Sequence, residues 1–194
     1  MEIGATKVVQ DRLKTTKIEE SKGASLVFCW DTHLTKIKGR NVLFIVNASN
    51  RYTIAMTDIE PRNWNYYTMY IRSVIHGVMQ EMGYSEDQIG QYFKMSGDTT
   101  VTKTHGRKSV GGINRMVMDA QYFGKKLEKE AKYQWELSEY LNRDICQPEG
   151  FDAYGYPSEL FKLDMERLGI ATKRKPAKVI DFTRHIDTNR STKH

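Results

Sequence analysis

The sequence predicts an α+β fold: a small antiparallel sheet packed against several helices, with a basic disordered C-terminal tail. Three observations support this. Three β-rich segments joined by short turns occupy residues 25–57. Apolar residues then recur at three- and four-residue spacing through Trp64–Met82. After about Ala171 the apolar pattern fades and charge dominates. We therefore predict one α+β domain over residues 1–170 and a basic flexible tail over residues 171–194.

The strands are predicted from short β-branched and aromatic runs. Val42–Val46 is a continuous apolar run, as expected for a strand that is covered on both faces. Tyr52–Thr57 alternates between larger and smaller residues, which is the period of a half-buried strand. Ser25–Lys36 precedes them and completes an antiparallel meander. Further short strands are predicted at Glu2–Lys7 and Thr99–Thr104.

The helices are predicted from apolar stripes and from end signals. Gly83 ends the Trp64–Met82 helix as a glycine after a helix C-terminus often does. Ser85 and Gln88 have the spacing of a capping box at the start of the next helix. The other predicted helices are Lys7–Lys14, a helix from near Ser109 to Leu127, Tyr133–Ile145 and Ser158–Leu168.

Composition excludes several classes of protein. The chain has 194 residues, of which 39% are hydrophobic, so the domain can fold without a metal or disulfide. The longest unbroken apolar runs have five residues, far short of the ~20 that a membrane-spanning helix needs. The start of the chain lacks a signal-peptide pattern. Cys29 and Cys146 lack metal-type spacing and are expected to be reduced thiols, so we expect a cytoplasmic protein.

The positive charge is concentrated at the C-terminal end. The net charge is +6, and residues 171–194 contain seven basic and two acidic residues, which supply +5 of it. The predicted domain itself is therefore nearly neutral. A cationic tail of this kind attracts polyanions.

Several short motifs, in this order along the chain, resemble those of an uncharacterised bacterial, plasmid and phage domain-of-unknown-function family. The matching residues are Ala5-Thr6-Lys7, Trp30 and Leu34, Val42–Asn47 before Tyr52-Thr53, Lys103-Thr104 and Arg107 ahead of Gly111 and Asn114, Leu141-Asn142, and Tyr156-Pro157-Ser158-Glu159. The resemblance covers most of residues 1–165. The chain departs from the family pattern at Asp31, where the family often has histidine, and at Arg115, where it often has an acid. The resemblance implies the fold and a bacterial or mobile-element origin, and it implies no activity.

The segment from Lys103 to Gly112 is the main candidate for a binding site. Lys103, Arg107 and Lys108 are placed between a predicted strand and a helix start, where free backbone N–H groups favour phosphate. His105 lies among these cations and is a further candidate for phosphate or nucleic-acid binding, and its imidazole is expected to be neutral at pH 7. The alternative is a solvated turn whose glycines permit close packing. The tail would add a second set of phosphate contacts, from Lys173, Arg174 and Lys175.

The sequence leaves a catalytic role open but assigns no catalytic residue, metal ligand or cofactor. Asp31 and His33 are two residues apart on a predicted strand, so the acid could orient the histidine as a base. The alternative is a polar strand edge.

We therefore predict a non-catalytic protein that binds nucleic acid or a ribonucleoprotein. We expect such a mobile-element factor to interfere with a host defence system, as anti-CRISPR proteins do. Two other classes stay open: a nuclease or phosphotransfer enzyme that uses His105 or His33, and a homo-oligomeric scaffold, with a homodimer as its simplest form.

Overall fold

A five-stranded sheet forms the centre of the protein in the computed structural model, which describes residues 1–15 and 18–172. The strands are β1 (Glu2–Ala5), β2 (Cys29–Ile37), β3 (Arg40–Asn47), β4 (Thr53–Thr57) and β5 (Thr100–Thr102). Strands β2, β3 and β4 form the antiparallel meander that the sequence predicts. Short turns between them keep each strand beside its sequence neighbour.

The predicted α+β class is confirmed, and the sheet is mixed, whereas the prediction was a small antiparallel sheet. Its strand order is β4-β3-β2-β1-β5, and β1 runs parallel to both of its neighbours. Parallel neighbours need long connections. The chain supplies them with α1 (Lys7–Leu13) and its following loop between β1 and β2, and with the helices that precede β5. The N-terminal strand thus lies inside the sheet.

Helices cover both faces of the sheet. The remaining helices are α2 (Pro61–Asn65), α3 (Tyr67–Glu81), α4 (Glu86–Ser96), α5 (Gly106–Gln121), α6 (Trp135–Asn142) and α7 (Pro157–Arg167). On one face, Trp30, Leu43 and Ile54 pack in a core with residues of α3, α4 and α7. On the other face, Phe44 and Ala55 pack with residues of α5 and α6. This arrangement explains why β3 is a continuous apolar run.

The helix predictions hold for type and position but not for every end. Ser85 and Gln88 form the predicted capping box of α4. The long helix is interrupted at Tyr66, where α2 ends and α3 begins. The helix predicted from near Ser109 to Leu127 is α5, which starts three residues earlier, at Gly106, and ends at Gln121.

The β4 edge of the sheet is closed by side chains of α6. The Asn142 amide accepts a hydrogen bond from the Thr53 N–H and donates one to the Thr53 carbonyl, both at 2.8 Å. The Ser138 hydroxyl accepts one from the Ala55 N–H at 3.0 Å. Two side chains of one helix therefore satisfy backbone groups that a further strand would otherwise pair.

The predicted tail falls almost wholly outside the described residues, since residues 173–194 are not among them. Both cysteines are free and buried. Among the helices of the described residues, none combines the length and the apolar character that crossing a membrane would require.

Candidate functional site

Strand register places two acids and a thiol on the α5 face of the sheet. Glu2 pairs with Cys29, and two residues further along Gly4 pairs with Asp31. Because side chains alternate along a strand, Glu2, Cys29 and Asp31 project from the same face. All three are buried: Cys29 and Asp31 are fully inaccessible and Glu2 is 4% exposed.

Gly4 makes room for the Asp31 carboxylate. A Cβ atom at this position would lie 1.8 Å from Oδ1 of Asp31, far inside van der Waals contact. The absence of a side chain on β1 therefore lets a carboxylate on β2 lie flat across the neighbouring strand. A buried carboxylate must find donors, and the residues that begin α5 provide them.

His105, at the N-cap position of α5, is the partner of both acids. Its Nδ1 lies 2.7 Å from Oδ1 of Asp31, and its Nε2 lies 3.0 Å from Oε2 of Glu2. Its backbone N–H donates to both oxygens of Asp31, at 3.2 and 3.3 Å. The side chain is 3% exposed. His105 is thus an internal bridge between two strands, and its ring lies away from the surface where a phosphate would bind.

Asp31 and Cys29 favour the charged form of the His105 imidazole. Burial opposes that charge, but interactions of the ring with Asp31 and Cys29 outweigh it and raise the pKa of His105 to about 10. The expectation of a neutral imidazole at pH 7 is therefore wrong. The acids that contact the ring, Glu2 and Asp31, are 103 and 74 residues away in sequence. The environment of the ring is therefore not set by the cations that are close to it in sequence.

The remaining oxygens of the two acids are also satisfied. The Ser109 hydroxyl, one turn into α5, donates to Oδ2 of Asp31. Glu2 accepts hydrogen bonds from the Ser21 hydroxyl at 2.6 Å and from the Lys22 backbone N–H at 2.9 Å. Burial favours protonation of Glu2, but these donors and His105 prevail and lower its pKa. The network therefore carries one positive and two negative charges and fixes α5 against β1 and β2.

His33 is separate from this network. Although it shares a strand face with Asp31, its Nδ1 lies 3.2 Å from the Thr6 hydroxyl, and burial lowers its pKa. The predicted Asp31–His33 pair does not form, because the Asp31 carboxylate is hydrogen-bonded to His105 instead.

A groove along the N-terminal half of α5 gathers cations from separate parts of the chain. We call it the α5 groove and define it by Arg51, Lys108, Gly111 and Arg115. These residues line a cavity of about 360 Å³ together with Glu149 and neighbouring residues. Lys108 and Arg115 are exposed on one face of the helix.

Arg51 reaches the α5 groove from the turn between β3 and β4. Its Nη2 atom donates to the carbonyl of Gly112 at 3.1 Å. A Cβ atom at Gly112 would lie 3.2 Å from Nε of Arg51, so the glycine admits the guanidinium beside the helix. Arg51 has a φ of 61°, in the left-handed region. The tight turn after Asn50 therefore sets the direction in which the Arg51 side chain leaves the backbone.

A second cavity of about 440 Å³ adjoins the α5 groove and shares Gly111 with it. Arg107, Thr104 and Asn114 line this second cavity. Nothing lies within 4 Å of a Cβ atom placed on Gly111, so the surface there is open. The two cavities thus form one concave strip along the helix, with four cations and the acid Glu149 among the described residues that line it.

The predicted basic residues do not all meet at this strip. Arg107 and Lys108 lie on it, and Lys108 Nζ donates to the Pro148 carbonyl at 3.3 Å. Lys103 is instead paired with Glu20, on the loop that precedes β2. Lys173, Arg174 and Lys175 fall outside the described residues. Arg51 and Arg115 were not predicted, since neither belongs to the charged segment of the sequence.

A family model described as a domain of unknown function (DUF6933) matches residues 2–160, and the chain belongs to this family. The predicted membership of an uncharacterised domain-of-unknown-function family is thereby confirmed, while the bacterial or mobile-element origin stays a prediction. Neither the curated proteins nor the solved structures contain a significant match.

Proposed function

We propose that the protein binds the phosphate backbone of a nucleic acid along the α5 groove and the adjoining cavity. The observation that carries this proposal is the convergence of Arg51, Arg107, Lys108 and Arg115 on one concave strip. Most contacts between proteins and nucleic acids go to phosphate and sugar, and cationic side chains supply much of the affinity.

The backbone of α5 adds to the attraction of the four side chains. The helix has 16 residues, and its first turn contains no acidic side chain. The positive end of the helix dipole therefore favours an anion beside Arg107 and Lys108, in addition to the buried Asp31 carboxylate that already accepts the His105 N–H. Since the strip spans about two turns of the helix, it suits consecutive phosphates better than a single small anion.

The glycines give a strand access to these cations. Gly111 leaves the helix surface bare between Lys108 and Arg115. A backbone that follows the strip could therefore approach the helix closely. The predicted cationic tail would strengthen this binding and steer association without adding sequence specificity. Interference with a host defence complex would be one use of such binding.

The two histidines offer less support for the nuclease alternative. The His105 ring is enclosed and both of its nitrogens are engaged by carboxylates. His33 is half-buried, and its one polar contact is with Thr6 among the described residues. A general base must reach the proton that it abstracts from the substrate.

Replacing three exposed cations with neutral side chains tests the proposal. The variant Arg107→Gln/Lys108→Gln/Arg115→Gln should lower the affinity for a short labelled RNA, measured by fluorescence anisotropy across a salt series. Each lost phosphate contact should flatten the slope of log K against log salt by about 0.7–0.9. The matched control is Lys7→Gln/Arg62→Gln/Lys94→Gln, which removes the same charge from α1, α2 and α4 on other surfaces. Equal losses in both variants would contradict the groove and indicate a diffuse effect of net charge.

A single substitution gives a sharper comparison. Gly111→Glu places a carboxylate inside the strip, and Gly90→Glu does the same on α4, at another glycine with open space around it. Both changes should leave the fold intact, because neither added Cβ meets a neighbour. Only Gly111→Glu should weaken binding severalfold. Unchanged affinity in Gly111→Glu would overturn the proposal.

A further inference from the structure

The buried side of the site brings together three different metal-binding groups. The Cys29 thiol, the His105 imidazole and the Glu2 carboxylate all lie within 4.8 Å of one another. Their side chains are almost completely enclosed. The three residues are far apart in sequence, so no spacing motif marks them.

A second observation concerns the orientation of His105. Its Nδ1 lies 2.7 Å from the carboxylate of Asp31, so the ring is oriented from behind, while Nε2 faces Glu2. Histidines that bind metal through one nitrogen commonly donate the other N–H to a carboxylate in this way. Asp31 is fixed in turn by the Ser109 hydroxyl and the His105 backbone N–H. The supporting shell of a metal site is therefore already in place.

We propose that Glu2, Cys29 and His105 bind a single Zn²⁺ ion at the junction of β1, β2 and α5. A thiolate, an imidazole and a carboxylate are the three ligand types that zinc takes in proteins. Ligand bonds of about 2.0–2.3 Å require the ligand atoms to be roughly 3.2–3.8 Å apart. The three ligand atoms lie within 4.8 Å of one another, so binding needs shifts of about 1.6 Å at most, and Nε2 and Oε2, now 3.0 Å apart, would separate slightly.

Zinc binding can be balanced by the release of protons. The metal would replace two protons, the one on the Cys29 thiol and the one between His105 and Glu2. The net charge of the cluster is then the same with zinc as with the two protons, because Zn²⁺ brings two positive charges. Asp31 remains the acceptor for Nδ1–H in both forms. Zinc binding therefore leaves no additional buried charge to be compensated.

The enclosed position favours a structural role. Three protein ligands leave one coordination position, which a water molecule can fill. The ion would connect two sheet strands to the first turn of α5 and so hold the helix that carries the α5 groove. This inference does not depend on nucleic-acid binding.

Cobalt provides a direct test, because thiolate-bound Co²⁺ has a charge-transfer absorption that other ligands lack. The full-length protein is freed of metal with a chelator and titrated with Co²⁺, and Zn²⁺ is then added. We expect the thiolate band to saturate at one Co²⁺ per chain and to disappear when Zn²⁺ displaces it. The matched variants are Cys29→Ala and Cys146→Ala, which remove the two buried thiols in turn.

The variants decide which residues bind. Cys146→Ala should keep the band, whereas Cys29→Ala should lose it and Glu2→Gln should weaken Co²⁺ binding at least tenfold. Circular dichroism confirms that each variant is folded. A wild-type protein without the band, a band that survives in Cys29→Ala, or a band lost in Cys146→Ala would each overturn the proposal. If Cys29→Ala fails to fold, the spectrum of Cys146→Ala decides, because a band that persists without Cys146 must come from Cys29.

Discussion

Replacing His105 with alanine should strongly destabilise the metal-free protein. The substitution removes the cation that bridges Asp31 and Glu2, at 2.7 and 3.0 Å. Asp31 is fully inaccessible and keeps the Ser109 hydroxyl and one backbone N–H as donors. Removing one member of a buried ion pair costs about 3–5 kcal/mol, because a charge is left without its partner. In a domain of this size that lowers the melting temperature by roughly 6–20 °C.

The matched control is His33→Ala. His33 is half-buried, and the one hydrogen bond of its side chain within residues 1–15 and 18–172 is with Thr6, at 3.2 Å. A single neutral hydrogen bond contributes about 0.5–1.5 kcal/mol, so this variant should lose about 1 kcal/mol of unfolding free energy. Both variants are compared with wild type by urea unfolding, followed by far-ultraviolet circular dichroism with a chelator present.

A double variant separates lost pairing from lost packing. Asp31→Asn removes the charge that His105→Ala leaves behind, so the two changes together should cost less than their sum, by at least about 1.5 kcal/mol. The reasoning is refuted if His105→Ala unfolds within 1 kcal/mol of His33→Ala, or if the double variant is additive. Either result would mean that solvent reaches the acids and that the network contributes little to stability.

Two further predictions concern other buried polar groups. Asn142→Ala should lower the unfolding free energy, measured in urea, by about 2–4 kcal/mol, because it removes the partner of the N–H and C=O of Thr53. The control is Lys162→Ala on the surface of α7, which should lower it by less than about 0.5 kcal/mol. Burial raises the pKa of Asp164 above its ordinary value of 3.8, against the opposing donors Asn50, Ser49 and Arg167. Its protonated form is thus favoured by folding, so the contribution of Asp164 to stability is present below about pH 3.8 and falls as the pH rises through the raised pKa. Asp164→Asn should therefore gain stability relative to wild type between pH 4 and 7 in urea titrations, and a constant difference across that range would contradict the assignment.

Local patterns were sufficient for much of the fold. The meander follows from β2, β3 and β4 being close in sequence with short turns between them, and the Ser85–Gln88 capping box is a local hydrogen-bond pattern. The position of β1 was not predictable in this way. Its pairing with Cys29–Thr32 and Thr100–Thr102 spans long connections, and four residues carry little information about their neighbours.

In the candidate site, too, residues marked by a local sequence pattern were predictable, and residues placed by long-range contacts were not. Lys108 and Arg107 were recognisable because a strand-to-helix turn with clustered cations is a local signal. The expected charge of His105 was wrong because its pKa depends on Asp31 and Cys29, which lie beside it only through strand register. The one available hint was Gly4, since a glycine within a strand often marks a close approach of another group. Arg51 gave no such hint, because its role follows from the path of the β3–β4 turn.

The buried network and the surface groove are linked through the first turn of α5. His105 and Ser109 bind Asp31 on the inner side of this turn, while Arg107 and Lys108 lie on its outer side. An isolated helix end would fray, and its side chains would lose their fixed spacing. Because the inner contacts join the helix to two sheet strands, the outer cations keep a defined separation from Arg51. Burying two carboxylates and an imidazolium costs free energy, but the resulting contacts fix the position of α5. The position of the α5 groove is therefore set by the sheet rather than by the loop that precedes the helix.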